Sequence, residues 1–281
     1  PSIVAPSFLC YHFRMGTLIL VRHGENEWTR KGKLAGKIPG VHLNETGHQQ
    51  AQAAAKRLAA LPIKAVYSSP LTRCAETAAY IADTHRLTTL FVDDLGEVEY
   101  GEWEGKKVEK LARKPLWRAV QFFPSRMRFP RGEALREVQF RAVQALEEIA
   151  ARHEKEVVVV VSHADIIRLL LAYYLGVHID LFQRLVISPA SASVLHLSAD
   201  GMSRVLRFND DGPLHSPSQP EGWKKDKKAG KKRKETGRET GSPDKQDSKA
   251  GSQTTSGVSA NGNKPNRALH PTSSAALDEE E

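Results

Sequence analysis

Cysteine is nearly missing from these 281 residues; only Cys10 and Cys74 are present. Two thiols cannot build a disulfide framework, and their scarcity suits a reducing compartment, so a cytoplasmic location is expected. Long apolar runs are missing too. The best candidate starts at Ile166, is interrupted by Arg168 and closes near Gly176. That is short of the roughly 20 residues a membrane helix needs, so no membrane partner is expected. Residues 1–14 are mildly apolar but have no basic leader and no convincing small-residue cleavage site, so no signal peptide is expected. Met15-Gly16-Thr17 reads as a natural initiator, which makes 1–14 upstream sequence or a short disordered arm.

Beyond Asp211 the large apolar residues run out. Residues 213–281 are rich in Gly, Ser, Pro, Lys and Thr, cannot bury a core, and are expected to form a disordered tail. The tail is basic from Lys224 to Arg238 and ends in Asp278-Glu279-Glu280-Glu281. Basic runs of this kind bind nucleic acid or serve as a nuclear address. This one has no interleaved aromatics beyond Trp223, and no nucleic-acid-binding fold accompanies it. A solvated, non-specific tail is the preferred reading, with nucleic acid the lesser one. What remains, 15–212, is one domain of about 200 residues, long enough for a large core.

Within it, three strand-like runs end in polar clusters. Leu18-Ile19-Leu20-Val21 leads into Arg22-His23-Gly24-Glu25. Ala65-Val66-Tyr67 leads into Ser68-Ser69-Pro70-Leu71-Thr72-Arg73, where a helix begins. Val157–Val161 leads into Ser162-His163-Ala164-Asp165. Continuous apolar runs suit strands buried on both faces of a parallel sheet, and ligands bind beyond the carboxyl ends of such strands. One sheet would then converge two arginines and two histidines on one pocket, the donors a phosphoryl group needs. Between the strands, helices are expected over 47–61, 71–84, 133–153 and 166–175, with short strands at 90–92, 185–187, 193–197 and 204–208. Leu135, Val138, Ala142, Leu146 and Ile149 form a core-facing stripe. The proline-broken stretch 106–131 reads as an insertion over the pocket mouth. The fold expected is a three-layer α/β/α sandwich with a mostly parallel central sheet.

These blocks carry a resemblance. Arg22-His23-Gly24-Glu25, the Ser69-Pro70-Leu71-x-Arg73-x-x-x-Thr77-Ala78 block and Ser162-His163 resemble the histidine phosphatase superfamily, the phosphoglycerate-mutase-like fold. Leu95-x-Glu97 through Trp103-Glu104-Gly105, and Leu34-x-Gly36 with Leu43 through Ala51, agree with it in order. The resemblance covers roughly 16–208. It implies a phosphohistidine on His23, with Arg22, Arg73 and His163 holding phosphoryl oxygens and Glu97 as proton donor. Glu99, Glu102 and Glu104 compete with Glu97 in sequence, but only Glu97 matches the family's position. Asn26, Thr29, Gly36 and Ala164 complete the expected phosphate-binding set. Asn26 and Thr29 depart from the family's usual Ser or Thr and Asn, and Ala164 stands where glycine is common.

No metal and no cofactor are called for. His163-x-Asp165 has ligand types but no second cluster near it. Neither cysteine has an arginine six positions on, Asp93-Asp94 is not an Asp-x-Asp nucleophile, and there is no P-loop. The expected activity is hydrolysis of a small phosphorylated metabolite. A phosphoglycerate-mutase-type phosphomutase is the alternative, disfavoured because Glu97-Val98-Glu99-Tyr100-Gly101 lacks the arginine and histidine that the glycolytic mutases resemble each other in. A non-catalytic scaffold using the basic tail is the third reading. Arg113, Lys114, Arg118, Arg126, Arg128 and Arg131 either select a second anionic group or simply solvate the insertion. The pattern carries no statement of oligomeric state.

Overall fold

The computed structural model describes residues 16–198 and 202–212; the expected arm, 1–14, and the expected tail, 213–281, lie outside the described residues. The chain runs through strand β1 (Gly16–Arg22), helices α1 (Glu27–Arg30) and α2 (Glu45–Leu58), β2 (Ile63–Ser68), α3 (Thr72–His85) and β3 (Thr89–Phe91). Two 3-10 turns, Asp93–Leu95 and Gly101–Trp103, precede α4 (Val108–Leu111), α5 (Trp117–Phe122) and a third turn, Pro124–Arg126. Then come α6 (Leu135–Arg152), β4 (Val157–Ser162), α7 (Ala164–Tyr174), a 3-10 segment (Ile179–Arg184), β5 (Ala192–Leu197) and β6 (Ser203–Asp210). Among the described residues no helix is long and apolar enough to cross a membrane.

The six strands form one sheet in the order β3-β2-β4-β1-β5-β6. The first four are parallel; at one edge β5 runs antiparallel to β1 and β6 antiparallel to β5. Side chains alternate across a strand, so the apolar run of β1 feeds two cores at once. Leu18 and Leu20 join Val158 and Val160 against α6 and α7, while Ile19 and Val21 join Val159 and Val161 against α2 and α3. Burial on both faces is why these strands read as continuous rather than alternating apolar runs. The α6 stripe from Leu135 to Ile149 is wholly in the core. Helices on both faces of the sheet make the three layers.

One expectation needs correction. No strand forms at 185–187: that segment follows the 3-10 turns, and two of its carbonyls are taken by arginines. Arg168 Nε donates to Leu185 O at 2.9 Å and Arg22 Nη1 donates to Ile187 O at 2.6 Å. The proline-broken 106–131 stretch packs onto the domain through short elements. It buries Leu111, Val120, Met127 and Phe129, and Trp117 stacks on buried Trp103 with ring centroids 5.8 Å apart. Of its cations, Arg113 and Arg128 pair with Glu109 and Glu137 at the surface.

Candidate active site

The Arg22-His23-Gly24 turn is tied down from three sides. His23 N–H donates to Ser162 O at the end of β4, 2.9 Å away. Gly24 N–H donates to Thr77 Oγ1 at 3.1 Å, and that hydroxyl donates in turn to Arg73 O at 2.8 Å, so α3 is stitched to the turn. The third side is α2. A Cβ on Gly24 would lie 2.5 Å from Gly47 O, and one on Gly47 would lie 2.0 Å from Glu25 O. Both glycines are therefore demanded by backbone meeting backbone.

His23 and His163 lie edge to face with ring centroids 5.3 Å apart. The His23 Nδ1 faces Gly24 O at 2.7 Å. A carbonyl only accepts, so Nδ1 carries the proton and Nε2 keeps a free lone pair. Burial, then the charges of Arg73 and Arg22, hold the His23 ring well below the ordinary imidazole range, so it is neutral at pH 7. His163 is settled by the same logic. Arg73 Nη2 lies 3.2 Å from its Nδ1, and a guanidinium only donates, so Nε2–H donates to Ser69 Oγ at 2.8 Å. Burial, Arg73, His23 and Arg22 hold this ring neutral too. Beneath it lies the Cys74 thiol, 3.4 Å from Nε2; burial pushes that thiol up to about 12, so it stays protonated.

The arginines are cationic and incompletely used. Arg73, 1% exposed, donates from Nη2 to Gly36 O at 2.8 Å, but its Nη1 is buried with no partner. Arg22 spends Nη1 on Ile187 O and leaves Nε buried and unpartnered. Burial and Arg168 lower Arg22 only to about 10. Asn26 caps α1, its Oδ1 accepting from Trp28 N and Thr29 N at 3.0 and 2.9 Å, while its Nδ2 is buried without a partner. Three buried N–H groups on the β1–α1 turn and the first turn of α3 thus lack an acceptor, a costly arrangement that an anion relieves. Of the remaining expected residues, Thr29 Oγ1 donates to Asn26 Oδ1 at 3.2 Å, and Gly36 contributes a carbonyl to Arg73. Gly36 sits at φ +54°, where a Cβ would run into the Glu104 carboxylate. Ala164 opens α7 directly after His163, so its N–H belongs to the first turn, which has no carbonyl within the helix.

Glu97 separates from its competitors. It is 9% exposed, and its Oε2 lies 3.7 Å from His163 Nδ1. Burial, and next the charge of Asp165, push its carboxyl up to about 7 against the opposing pull of Arg73 and Arg22. Glu99 and Glu102 are exposed, and Glu104 accepts from Lys37 N–H at 3.0 Å. Asp165, weighed from sequence only as a metal ligand, has both oxygens engaged: Oδ2 accepts from Tyr100 OH and Oδ1 from Arg168 Nη1, each at 2.8 Å. Tyr100, Ser69, Thr77 and Arg168 carry no role from sequence alone; the first three stand inside recognised blocks, the one signal that marks them, and Arg168 has none.

Residues 18–211 match the family model of the histidine phosphatase superfamily (branch 1). The chain is 36% identical over 197 residues to phosphoserine phosphatase 1 of Hydrogenobacter thermophilus, covering 69% of this chain and 92% of that protein. It is 38% identical over 157 residues to the metal-independent phosphoserine phosphatase of Arabidopsis thaliana, covering 54% of this chain and 65% of that protein. Among solved structures, Bacillus stearothermophilus YhfR matches with a TM-score of 0.65 at 28% identity, over 69% of this chain and 97% of that one.

Proposed function

This chain belongs to the histidine phosphatase superfamily, and from that premise we propose that it is a phosphomonoesterase acting on a small phosphorylated metabolite through a phosphohistidine on His23. One observation carries the residue assignment: beside a neutral His23, its Nδ1 proton held by Gly24 O, the side chains of Arg22, Asn26 and Arg73 each keep a buried N–H without an acceptor. Arg22, Arg73 and Asn26 take the phosphoryl oxygens. His23 Nε2 attacks phosphorus as the ester P–O bond breaks, and the leaving oxygen takes the Glu97 proton. Nδ1 keeps its proton throughout, so the phosphorylated ring is cationic and remains a good leaving group. Water then attacks phosphorus, returns one proton to Glu97, breaks the P–N bond and frees inorganic phosphate. His163 stays neutral and steadies Arg73 and Ser69 beside the phosphoryl group through its two ring nitrogens.

Phosphoserine is the first substrate to test, because both named relatives are phosphoserine phosphatases. A panel of phosphorylated metabolites, with phosphoserine and 3-phosphoglycerate among them, is assayed for free phosphate with and without 2,3-bisphosphoglycerate. Release of phosphate without the bisphosphate is the expected result. Isomerised ester with no free phosphate would make the chain a mutase instead.

Asn26 and Thr29 are expected to separate under mutation. Asn26→Asp keeps a capping oxygen for α1 but replaces the free Nδ2 donor by an anion. Its kcat/KM falls by at least the about 1.5–3 kcal/mol of a hydrogen bond to a charged group. Thr29→Ala acts only through Asn26 and costs about 0.5–1.5 kcal/mol. Steady-state kinetics beside thermal melts check the order; equal losses would put Thr29 on the phosphate.

A further inference from the structure

The segment carrying Glu97 leaves the Asp93–Leu95 turn and reaches the Gly101–Trp103 turn without pairing as a strand; Ser162 Oγ donates to Leu95 O at 2.7 Å and Glu133 N–H to Glu99 O at 3.0 Å. The carbonyls around Glu97 itself are taken by one side chain from α6. Arg141 Nη1 donates to Asp94 O at 2.6 Å and to Gly96 O at 2.9 Å, and Nη2 donates to Glu97 O at 3.2 Å. The other edge of the guanidinium is seated on Glu133, with Nε to Oε1 at 2.8 Å and Nη2 to Oε2 at 3.0 Å. Glu133 Oε2 also accepts from Glu99 N–H at 2.8 Å. The pair thus grips the backbone at 94, 96, 97 and 99, on both sides of the Glu97 Cα. The Glu97 carboxyl itself makes one backbone contact, accepting from its neighbour Val98 N–H at 3.0 Å, so its aim depends on how its backbone is held.

We propose that Arg141 and Glu133 are positioning residues for the proton donor, fixing Glu97 opposite the leaving oxygen; this rests on the reading of Glu97 as that donor. A planar fork is needed for the task. Lysine keeps the charge but cannot span three carbonyls and a carboxylate at once. A donor displaced by about 1 Å can lose on the order of 10²-fold. The loss falls only on substrates that need the proton. An alkoxide must be protonated to leave, whereas p-nitrophenolate leaves unaided.

The test compares kcat/KM for an alkyl phosphate that the native protein turns over, phosphoserine or glycerol phosphate, with kcat/KM for p-nitrophenyl phosphate. Arg141→Lys is expected to lose about 10–100-fold on the alkyl ester. On the aryl ester it loses much less. Glu133→Gln keeps Arg141 but loosens its seat, and shows the same split at smaller size, which keeps the test open if Arg141→Lys folds poorly. Equal losses on both esters, or none in either variant, overturn the proposal. Glu97→Gln is run alongside. If it splits the two esters and the clamp variants do not, the clamp alone fails. If Glu97→Gln shows no split, the assignment of Glu97 fails and the clamp proposal with it.

Discussion

His23→Ala is expected to abolish the acid-labile phosphoenzyme and to lower turnover by on the order of 10⁴–10⁶-fold, the scale for losing a covalent nucleophile. The expectation follows from the two tautomers. His23 has a free lone pair at Nε2, whereas the His163 Nε2 proton is committed to Ser69 and its Nδ1 faces Arg73. Burial and two arginines keep the His23 ring neutral below the pH at which an ordinary imidazole becomes a cation, so nucleophilic competence extends into mild acid. His163→Ala slows phosphorylation strongly, yet the label that forms remains on residue 23. Rapid-quench labelling followed by peptide mapping at neutral or alkaline pH reads this directly. Label on the His163 or Ser69 peptide would sink the assignment.

Glu97→Gln should remove the proton donor and lower kcat/KM for alkyl phosphates by about 10²–10⁴-fold, the usual worth of general acid catalysis. The pH dependence has a definite sign. The acid must enter the first step protonated, and its folded pKa is raised to about 7, chiefly by burial and then by Asp165. The kcat/KM profile therefore falls as pH rises through about 7, and Glu97→Gln flattens that limb. Asp165→Asn removes the charge that helps raise the carboxyl, which shifts the limb to lower pH. An alkaline limb unchanged in Glu97→Gln would assign the proton donor elsewhere.

The elements that position the site were legible because each is a local pattern. Leu18–Val21 and Val157–Val161 announce doubly buried strands by their unbroken apolar runs, and the three polar clusters at strand ends follow from parallel topology. The helix α6 stripe was legible for the same reason. The details that decide chemistry were not. The His23 tautomer depends on a carbonyl one residue away whose direction only the folded turn sets. The Asn26 reading was incomplete because one side chain both caps α1 and presents a free N–H. The apolar run at 185–187 looked like a strand, but arginines from β1 and α7 occupy the carbonyls a neighbouring strand would need. Arg141 gave no signal because it acts on main-chain carbonyls more than 40 residues upstream, and main-chain groups leave no mark on the identity of their residues.

The place of β1 in the sheet governs how this protein can be made. The first strand among the described residues is an interior strand, and its parallel partner β4 begins at Val157. At about 5–20 residues per second, synthesis of the roughly 140 residues between them takes on the order of 7–30 s. For that interval Leu18 to Val21 have no β4 edge to pair with, and long-range pairing of this kind is slow and exposed to aggregation. On the mechanism proposed above, a nascent chain is silent until β4 has emerged and brought His163 to His23. Holding the apolar amino-terminal strand out of wrong associations is then the step on which the yield of folded protein depends.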